Sequence, residues 1–146
     1  MAVLDGGDIV YIARAAASRI MSPSLNVGNR LPAYATSIGV VLLAHLPEAE
    51  LEAYLARTSF LPFTRNTIVS PARLREVLAQ VREQGHAIAD QQMEAGLRTI
   101  AVPVYDKAGA VVSGINIIGP TARMQPELMR TRFLPLLLET AESLRL

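Results

Sequence analysis

The pattern of apolar and polar residues predicts a sheet. Residues 9–13 are mostly β-branched or aromatic and follow the turn residues 5–8, which indicates a strand entered from a tight turn. Residues 86–90, 97–105 and 110–118 also have strand character. Asp106 and Gly109 lie between the last two segments and are typical of a hairpin turn. We therefore expect the last two strands to be antiparallel neighbours.

Four helices are predicted, over residues 36–44, 47–57, 70–85 and about 126–145. Thr36 is a hydroxyl cap ahead of an apolar run, which indicates a short, mostly buried helix. Pro47 suits the first position of the second helix. Ser70 as cap and Gly85 as terminator bound the third helix. Pro135 predicts a kink or an interruption in the last one. The order of elements predicts an α+β domain with helices on the faces of a mixed or antiparallel sheet.

Composition indicates one packed domain. The 146 residues are 51% hydrophobic and 18% charged, so a core can form and disorder is excluded as the main state. A net charge of +1 gives no general electrostatic reason to bind nucleic acid. The apolar stretches fall short of the roughly 18–20 residues that cross a bilayer, and the first five residues do not form a signal peptide. With no cysteine in the sequence, these features predict a cytoplasmic protein without a membrane partner.

Catalytic and metal chemistry find little support in the sequence. Ser37 and Ser113 are candidate nucleophiles, but neither lies in a Gly-x-Ser-x-Gly elbow, and only His45 and His86 are available as bases. No spacing of metal-ligating side chains indicates a metal site. We therefore expect no enzyme activity, no metal and no cofactor. A small hydrolase or lyase that uses Ser37 or Asp90 remains the alternative.

The segment at Thr36 and Ser37 could hold a small acid. The free N–H groups in the first turn of a buried helix can bind a carboxylate without a nearby lysine. The competing interpretation is that Thr36 only caps its own helix. Asn116 is a second candidate, because an amide between Ile115 and Ile117 in a core strand needs a hydrogen-bond partner. A ligand, a water molecule or the backbone could supply that partner.

Several motifs, in their order and spacing, resemble the effector-binding domain of the IclR family of bacterial transcriptional regulators. The main ones are DGGDIVYIAR at 5–14, GNRLPAYATSIG at 28–39, GHAIAD at 85–90, GLRTIAVPV at 96–104 and INI at 115–117. They cover nearly the whole chain. The RLPAYATS run at 30–37 and the RFLP segment at 132–135 are most similar to the PcaR and PobR subgroup, whose members sense aromatic acids or their ring-cleavage products in the β-ketoadipate pathway.

The resemblance implies a GAF-like fold, in which helices flank a curved, mainly antiparallel sheet with a ligand pocket on one face. It also implies homodimers that pair into tetramers. Carried over residue by residue, the family's pocket positions fall on Thr36, Ser37, Ile38, Asp90, Leu97, Thr99, Asn116 and Ile118. Alternation along a strand places Leu97 with Thr99 on one face, so Arg98 should point away from the pocket.

Two departures from the family pattern change the expected ligand and domain content. Family members that bind very small acids have a hydroxyl where this chain has Ile118, so a larger, partly apolar acid is expected here. Family members also carry an N-terminal winged helix-turn-helix, which is missing ahead of the first expected strand. We therefore expect residues 1–146 to form a single effector-binding domain that contacts DNA only through that missing part. A pure oligomerisation module with a filled interior is a further alternative.

Overall fold

A computed structural model describes residues 1–15 and 26–146 of the chain. Its strands are β1 (Ala2–Asp5), β2 (Asp8–Tyr11), β3 (Arg30–Pro32), β4 (Ala87–Asp90), β5 (Leu97–Tyr105) and β6 (Val111–Pro120). Its helices are α1 (Ser37–Ala44), α2 (Glu48–Arg57), α3 (Pro71–Gln84), α4 (Pro126–Leu128) and α5 (Leu134–Ser143). A 3-10 turn over Ala33–Ala35 precedes α1, and a π-helical segment over Met129–Phe133 joins α4 to α5.

The six strands form one sheet in the order β3-β2-β1-β6-β5-β4, and all neighbouring strands are antiparallel. The predicted hairpin of β5 and β6 is confirmed, with Thr99 opposite Ile118 and Ala101 opposite Asn116. The sheet is curved and flanked by helices, so the predicted α+β, GAF-like fold class is confirmed. The strands β1 and β3 were not predicted. Each is short and depends on distant partners, since β3 pairs with β2, and β1 pairs with both β2 and β6.

Two hydrophobic cores lie on opposite faces of the sheet. On β5, Ala101 faces the core formed with α1, α2 and α3, whereas its neighbours Ile100 and Val102 face the core beneath α5. This is the period-two alternation of a strand that is buried on both sides. All eight residues of α1 are buried, so this helix is a central layer on its face of the sheet.

Local capping explains where the helices begin and end. Ser70 caps α3 by accepting a hydrogen bond from the N–H of Arg73, and Gly85 ends the helix in the left-handed conformation at φ 82°. Both features were predicted. The second helix begins one residue later than expected, because Pro47 is its cap and Glu48 its first residue.

The last helix is interrupted where Pro135 predicted it. The N–H of Leu134 donates to the carbonyl of Met129, five residues back, which marks the π-helical segment. Proline lacks an N–H and crowds the preceding turn, so the regular α-helical hydrogen bonds between residues i and i−4 cannot continue through this point. In the part of the chain that the structure describes, no helix is both long and apolar enough to cross a membrane.

Candidate functional site

A cavity of about 540 Å³ lies between the start of α1, the sheet face beneath it and the loop over residues 91–96. Its volume falls within the roughly 300–1,000 Å³ typical of small-molecule sites. Six of the eight predicted site residues line it, namely Thr36, Ser37, Leu97, Thr99, Asn116 and Ile118. Alternation along β5 and β6 brings four of these to one face, and the turn before α1 brings the other two against them.

The first turn of α1 forms one wall of the cavity. The hydroxyl of Thr36 accepts a hydrogen bond from the N–H of Gly39 at 3.0 Å and donates to the carbonyl of Ala33 at 3.2 Å. The Thr36 side chain therefore caps its own helix, which was one of the two interpretations open from the sequence. Helix geometry still leaves the first amide of α1, that of the lining residue Ser37, without a partner inside the helix. Together with the positive end of the helix dipole, this amide suits an anion.

Ser37 adds a hydroxyl to the same wall. Its oxygen accepts a hydrogen bond from the Thr99 hydroxyl at 2.7 Å, although the two residues lie 62 positions apart in the chain. Ser37 is only 1% exposed, so its position is set by packing as well as by this bond. Because the Ser37 oxygen is the acceptor, its own hydrogen remains available to donate to another group.

Tyr11 and Asn116 provide polar groups from the sheet. Burial raises the pKa of the Tyr11 phenol above its ordinary value of 10.0, and a hydrogen bond with the Asn116 side chain partly opposes that rise. The phenol is therefore protonated throughout the physiological pH range and can donate a hydrogen bond. Tyr11 on β2 is therefore a neighbour with which the Asn116 side chain can interact. This side chain adds to the ligand, water and backbone that the sequence left open as partners of Asn116.

The remaining lining is mostly apolar. Its apolar members are Leu31, Ala35, Ala89, Met93, Leu97 and Ile118. Glu94 is the single charged residue of the lining, which contains no lysine, arginine or histidine among the described residues. A carboxylate in this cavity would therefore be held by N–H and O–H groups and not by a cation.

Gln92 lines the cavity, and the oxygen of its side chain is buried. Its side-chain oxygen Oε1 has no hydrogen-bond partner in the described part of the chain. A buried acceptor left without a partner costs roughly 1–3 kcal/mol, so such an atom needs an explanation. Sequence reasoning missed Gln92 together with Tyr11, Leu31, Ala35, Ala89, Met93 and Glu94. Alternation on β4 could have found Ala89, but nothing in the local sequence points to Gln92.

Two predicted site residues lie outside the cavity lining. Ile38 is fully buried and faces the sheet, where its Cγ2 would lie 2.9 Å from a Cβ added at Gly114. Asp90 lies opposite Arg98 in the β4–β5 register and forms an ion pair with it at 3.0 Å. Because Ala89 faces the cavity, alternation turns Asp90 to the other face of the sheet. The placement expected for these two residues is therefore corrected, while Arg98 points away from the cavity as predicted.

The cavity lining places no histidine beside Ser37. Neither histidine lines the cavity, and Nδ1 of His45 lies 2.9 Å from the carbonyl oxygen of Val41. Ser113 is buried elsewhere and donates to the carbonyl of Ala2. Over residues 1–15 and 26–146, no group of three or more His, Asp or Glu side chains is placed to hold a metal ion. Among the described residues, the cavity therefore contains no Ser–His pair.

Comparison with known proteins identifies close relatives. The family model described as the C-terminal part of the bacterial transcriptional regulator IclR matches residues 1–146. The Pca regulon regulatory protein of Pseudomonas putida is 43% identical over 145 residues, which are 99% of this chain and 50% of that protein. This chain spans about half the length of the curated relatives it matches.

Two solved structures share the fold over nearly the whole chain. A transcriptional regulator from Rhodococcus has a TM-score of 0.93 and 44% identity, and the match covers 97% of this chain and 57% of that one. The inducer-binding domain of a PobR double mutant from Acinetobacter, in complex with 3-hydroxybenzoic acid, has a TM-score of 0.92 and 34% identity. That match covers 99% of this chain and 85% of the other.

Proposed function

We propose, from the premise that this chain belongs to the IclR family of bacterial transcriptional regulators as their C-terminal, effector-binding domain, that its cavity senses a small organic acid. The observation that carries the proposal is that hydrogen-bond donors from the first turn of α1 border a largely apolar cavity. The amide and the hydroxyl of Ser37 are these donors. They would hold the carboxylate, and the apolar lining would enclose the rest of the ligand.

We propose an aromatic acid as the ligand class. The apolar residues Leu31, Leu97 and Ile118 favour a flat hydrocarbon body over a small, fully polar acid such as glyoxylate. The PobR domain, which is similar over nearly the whole chain, was solved in complex with 3-hydroxybenzoic acid. A six-carbon dicarboxylate, such as β-ketoadipate, is the second ligand class that the sequence resemblance implies. It would need a second set of donors for its other carboxylate.

We propose that the domain releases its ligand unchanged. The relatives are transcriptional regulators, and Ser37 lacks a histidine partner in the cavity. Steady turnover of an ester or lactone that disappears in Ser37→Ala would contradict this proposal and support the hydrolase alternative.

The regulatory step is also a proposal. Ligand in the cavity would bias how subunits pack in a dimer or tetramer, and a DNA-binding domain outside these 146 residues would report that packing. Such coupling cannot exceed the difference in the ligand's affinity for the two packing arrangements. Light scattering with and without ligand would test whether the assembly changes.

Calorimetric titration tests ligand binding directly. We expect 3-hydroxybenzoate, 4-hydroxybenzoate or protocatechuate to bind at one molecule per chain, and more tightly than adipate. At one hundred times its Kd, a bound ligand adds about 2.7 kcal/mol of stability. For a domain of this size that is a rise of roughly 5–10 °C in Tm.

A blocked cavity supplies the control. Ala89→Leu places a larger side chain into the cavity, and Ile88→Ala changes the neighbouring position on the opposite face of β4. We expect the first variant to lose binding and the second to keep it, with both folded by circular dichroism. The absence of binding by every organic acid tested, or unchanged binding in Ala89→Leu, would refute the proposed function.

A further inference from the structure

The loop over residues 91–96 is a wall of the cavity whose outer side faces solvent. Its residues Gln92, Met93 and Glu94 line the cavity, and residues 94–96 are exposed. Met93 is half-buried and packs against the core that contains α1. The other described walls are the start of a buried helix and the face of a sheet. A shift of the loop would therefore change the space that is open to a ligand.

The conformation of this loop needs support from outside. Gln91 has a φ of 57°, a left-handed conformation that is uncommon in residues other than glycine. The side-chain oxygen of Gln92 is buried and has no hydrogen-bond partner in the described part of the chain, which also disfavours this arrangement. The strand β4, which leads into the loop, lies at the edge of the sheet. Such unfavourable features persist only where surrounding contacts hold them.

The turn over residues 64–67, in the connection between α2 and α3, supplies these contacts. Three of its side chains donate hydrogen bonds to three consecutive carbonyls at the end of β4 and the start of the loop. The pairs are Thr64 with Gln91 at 2.5 Å, Asn66 with Asp90 at 3.0 Å and Thr67 with Gln92 at 2.6 Å. The peptide plane between Gln92 and Met93 is therefore held by a residue of another segment.

The turn directs its own hydroxyl groups toward the loop. The Thr67 oxygen Oγ1 accepts a hydrogen bond from the N–H of Thr64 at 2.9 Å, and the Thr64 oxygen Oγ1 accepts one from the N–H of Asn66 at 3.0 Å. Because each oxygen accepts within the turn, each hydroxyl hydrogen is left to donate to the loop. Thr67 is also only 8% exposed, so packing restricts its side chain. The donors are thus in place before any ligand arrives.

The same connection is fixed to the opposite wall of the cavity. The hydroxyl of Tyr34 accepts a hydrogen bond from the N–H of Leu61 at 2.6 Å and donates one to the carbonyl of Leu61 at 3.0 Å. The Tyr34 ring also packs on Phe60, with 4.9 Å between the ring centroids. Tyr34 directly precedes Ala35 and Thr36, which line the cavity. The connection therefore sets the separation between the start of α1 and the loop.

We infer that Thr64 and Thr67 are positioning residues of the ligand site, which hold the loop over residues 91–96 against a bound acid although neither of them lines the cavity. The inference rests on the proposed function, because it needs an acid in the cavity. It goes further by making the affinity depend on a turn outside the cavity. Without one of these bonds, the loop samples other conformations, and the ligand binds only the fraction of molecules whose loop is in place.

The first test measures affinity in a variant of the turn. Thr67→Val removes the hydroxyl with little change in volume. Calorimetry gives Kd values for 3-hydroxybenzoate, 4-hydroxybenzoate and protocatechuate, at a temperature where every protein is fully folded. We expect the Kd of each acid that binds to rise three- to tenfold, which corresponds to the loss of one neutral hydrogen bond. Thr67→Ser keeps the hydroxyl and should bind within twofold of the unaltered chain.

Two further threonine variants test whether the effect belongs to the loop contact. Thr64→Val removes the neighbouring bond and should raise Kd by a similar factor, so the test does not depend on the folding of one variant. Thr58→Val is the matched control. Thr58 lies in the same connection, but its hydroxyl donates to the carbonyl of Tyr54 in α2 and not to the loop. We expect its Kd values to stay within twofold.

Amide hydrogen exchange tests the loop without any ligand. The N–H of Gln91 donates to the carbonyl of Leu97 at 2.9 Å, and the N–H of Gly96 donates to the Gln91 side chain at 3.0 Å. We expect both amides to exchange three- to tenfold faster in Thr67→Val than in the unaltered chain. The amides that join β5 to β6 should keep their rates, because the opening is local.

The outcomes separate this inference from the proposed function. Unchanged Kd values in both Thr64→Val and Thr67→Val would overturn the inference, even with faster exchange, while acid sensing would stand. An equal loss of affinity in Thr58→Val would show a general effect of the connection. Failure of Thr67→Ser to restore binding would show that the hydroxyl is not the cause. Either result also overturns the inference. If no acid binds to the unaltered chain, the inference and the proposed function both fail.

Discussion

Substitution of Ser37 by alanine tests the anion-binding end of the cavity most directly. The variant removes one hydroxyl from a residue that is 1% exposed and leaves the helix amides in place. In the unaltered chain, the hydrogen of the Ser37 hydroxyl is free to donate, because the Ser37 oxygen accepts the hydrogen bond from Thr99. A hydrogen bond to a charged group contributes about 1.5–3 kcal/mol, and each 1.4 kcal/mol changes Kd tenfold. We therefore expect Ser37→Ala to raise the Kd for the preferred hydroxybenzoate roughly ten- to hundredfold.

The same substitution has a smaller effect on folding. Thr99 loses its acceptor in Ser37→Ala, which should lower the free energy of unfolding by about 1 kcal/mol and Tm by roughly 2–4 °C. Thr99→Val is the matched control, because it deletes the same bond between the side chains but keeps the Ser37 hydroxyl. Calorimetry gives the Kd values, and urea unfolding gives the stabilities.

The comparison of these two variants decides the role of Ser37. We expect Thr99→Val to weaken binding clearly less than Ser37→Ala does. If Ser37→Ala binds within twofold of the unaltered chain, the hydroxyl does not contact the carboxylate. Equal losses in both variants would show that Ser37 acts only through its bond with Thr99, which would also refute the reasoning.

Three further predictions concern the frame around the cavity. Thr36→Ala should lower the free energy of unfolding by about 1–2 kcal/mol, because it removes the helix cap, and Thr36→Ser should restore it; equal urea midpoints for the two would contradict this. Asp90→Asn should leave acid binding unchanged and cost at most about 1 kcal/mol. Since hydrogen bonds from Arg98 and Gln91 lower the pKa of Asp90, that contribution should be present above its ordinary pKa of 3.8 and disappear as the pH falls through the lowered value, as acid titration of both proteins would show. Gly114→Ala should cost about 1–3 kcal/mol by thermal unfolding, because the added Cβ would lie 2.9 Å from Ile38 Cγ2; a loss below 0.5 kcal/mol, about the noise for surface changes, would indicate looser packing.

The sequence predicts most of the long elements because local signals and tertiary packing agree there. The cap at Ser70, the left-handed glycine at the end of α3 and the proline in the last helix each place a boundary within a residue or so. The strands β1 and β3 lack such signals. β3 has only three residues and contains Pro32, and it exists because β2 offers a partner. Pairing of this kind involves distant residues, so a local pattern does not reveal it.

The site residues also differ in whether a local pattern in the sequence predicts them. The six lining residues that were predicted lie on strands or at the start of a helix, where the spacing along the chain determines the direction of a side chain. Asp90 was expected in the pocket from the family resemblance alone. Alternation along β4 instead puts Ala87 and Ala89 on the buried face and Asp90 on the other one. Gln92 lies in an irregular loop whose shape depends on hydrogen bonds from Thr64, Asn66 and Thr67. A pattern of neighbouring residues cannot predict a loop conformation that depends on a hydrogen bond between residues 25 positions apart, as between Thr67 and Gln92.

Two alanines leave space in the cavity wall that larger side chains would fill. Ala35 and Ala89 border the cavity, yet neither side chain takes part in the cap at Thr36 or in the bond between Ser37 and Thr99. A bulkier residue at either position would shorten the space for the ligand body and leave the carboxylate end intact. Single substitutions at these two alanines would thus alter the size and shape of the molecule that fits, while the hydroxyl cap and the bond between helix and sheet stay unchanged.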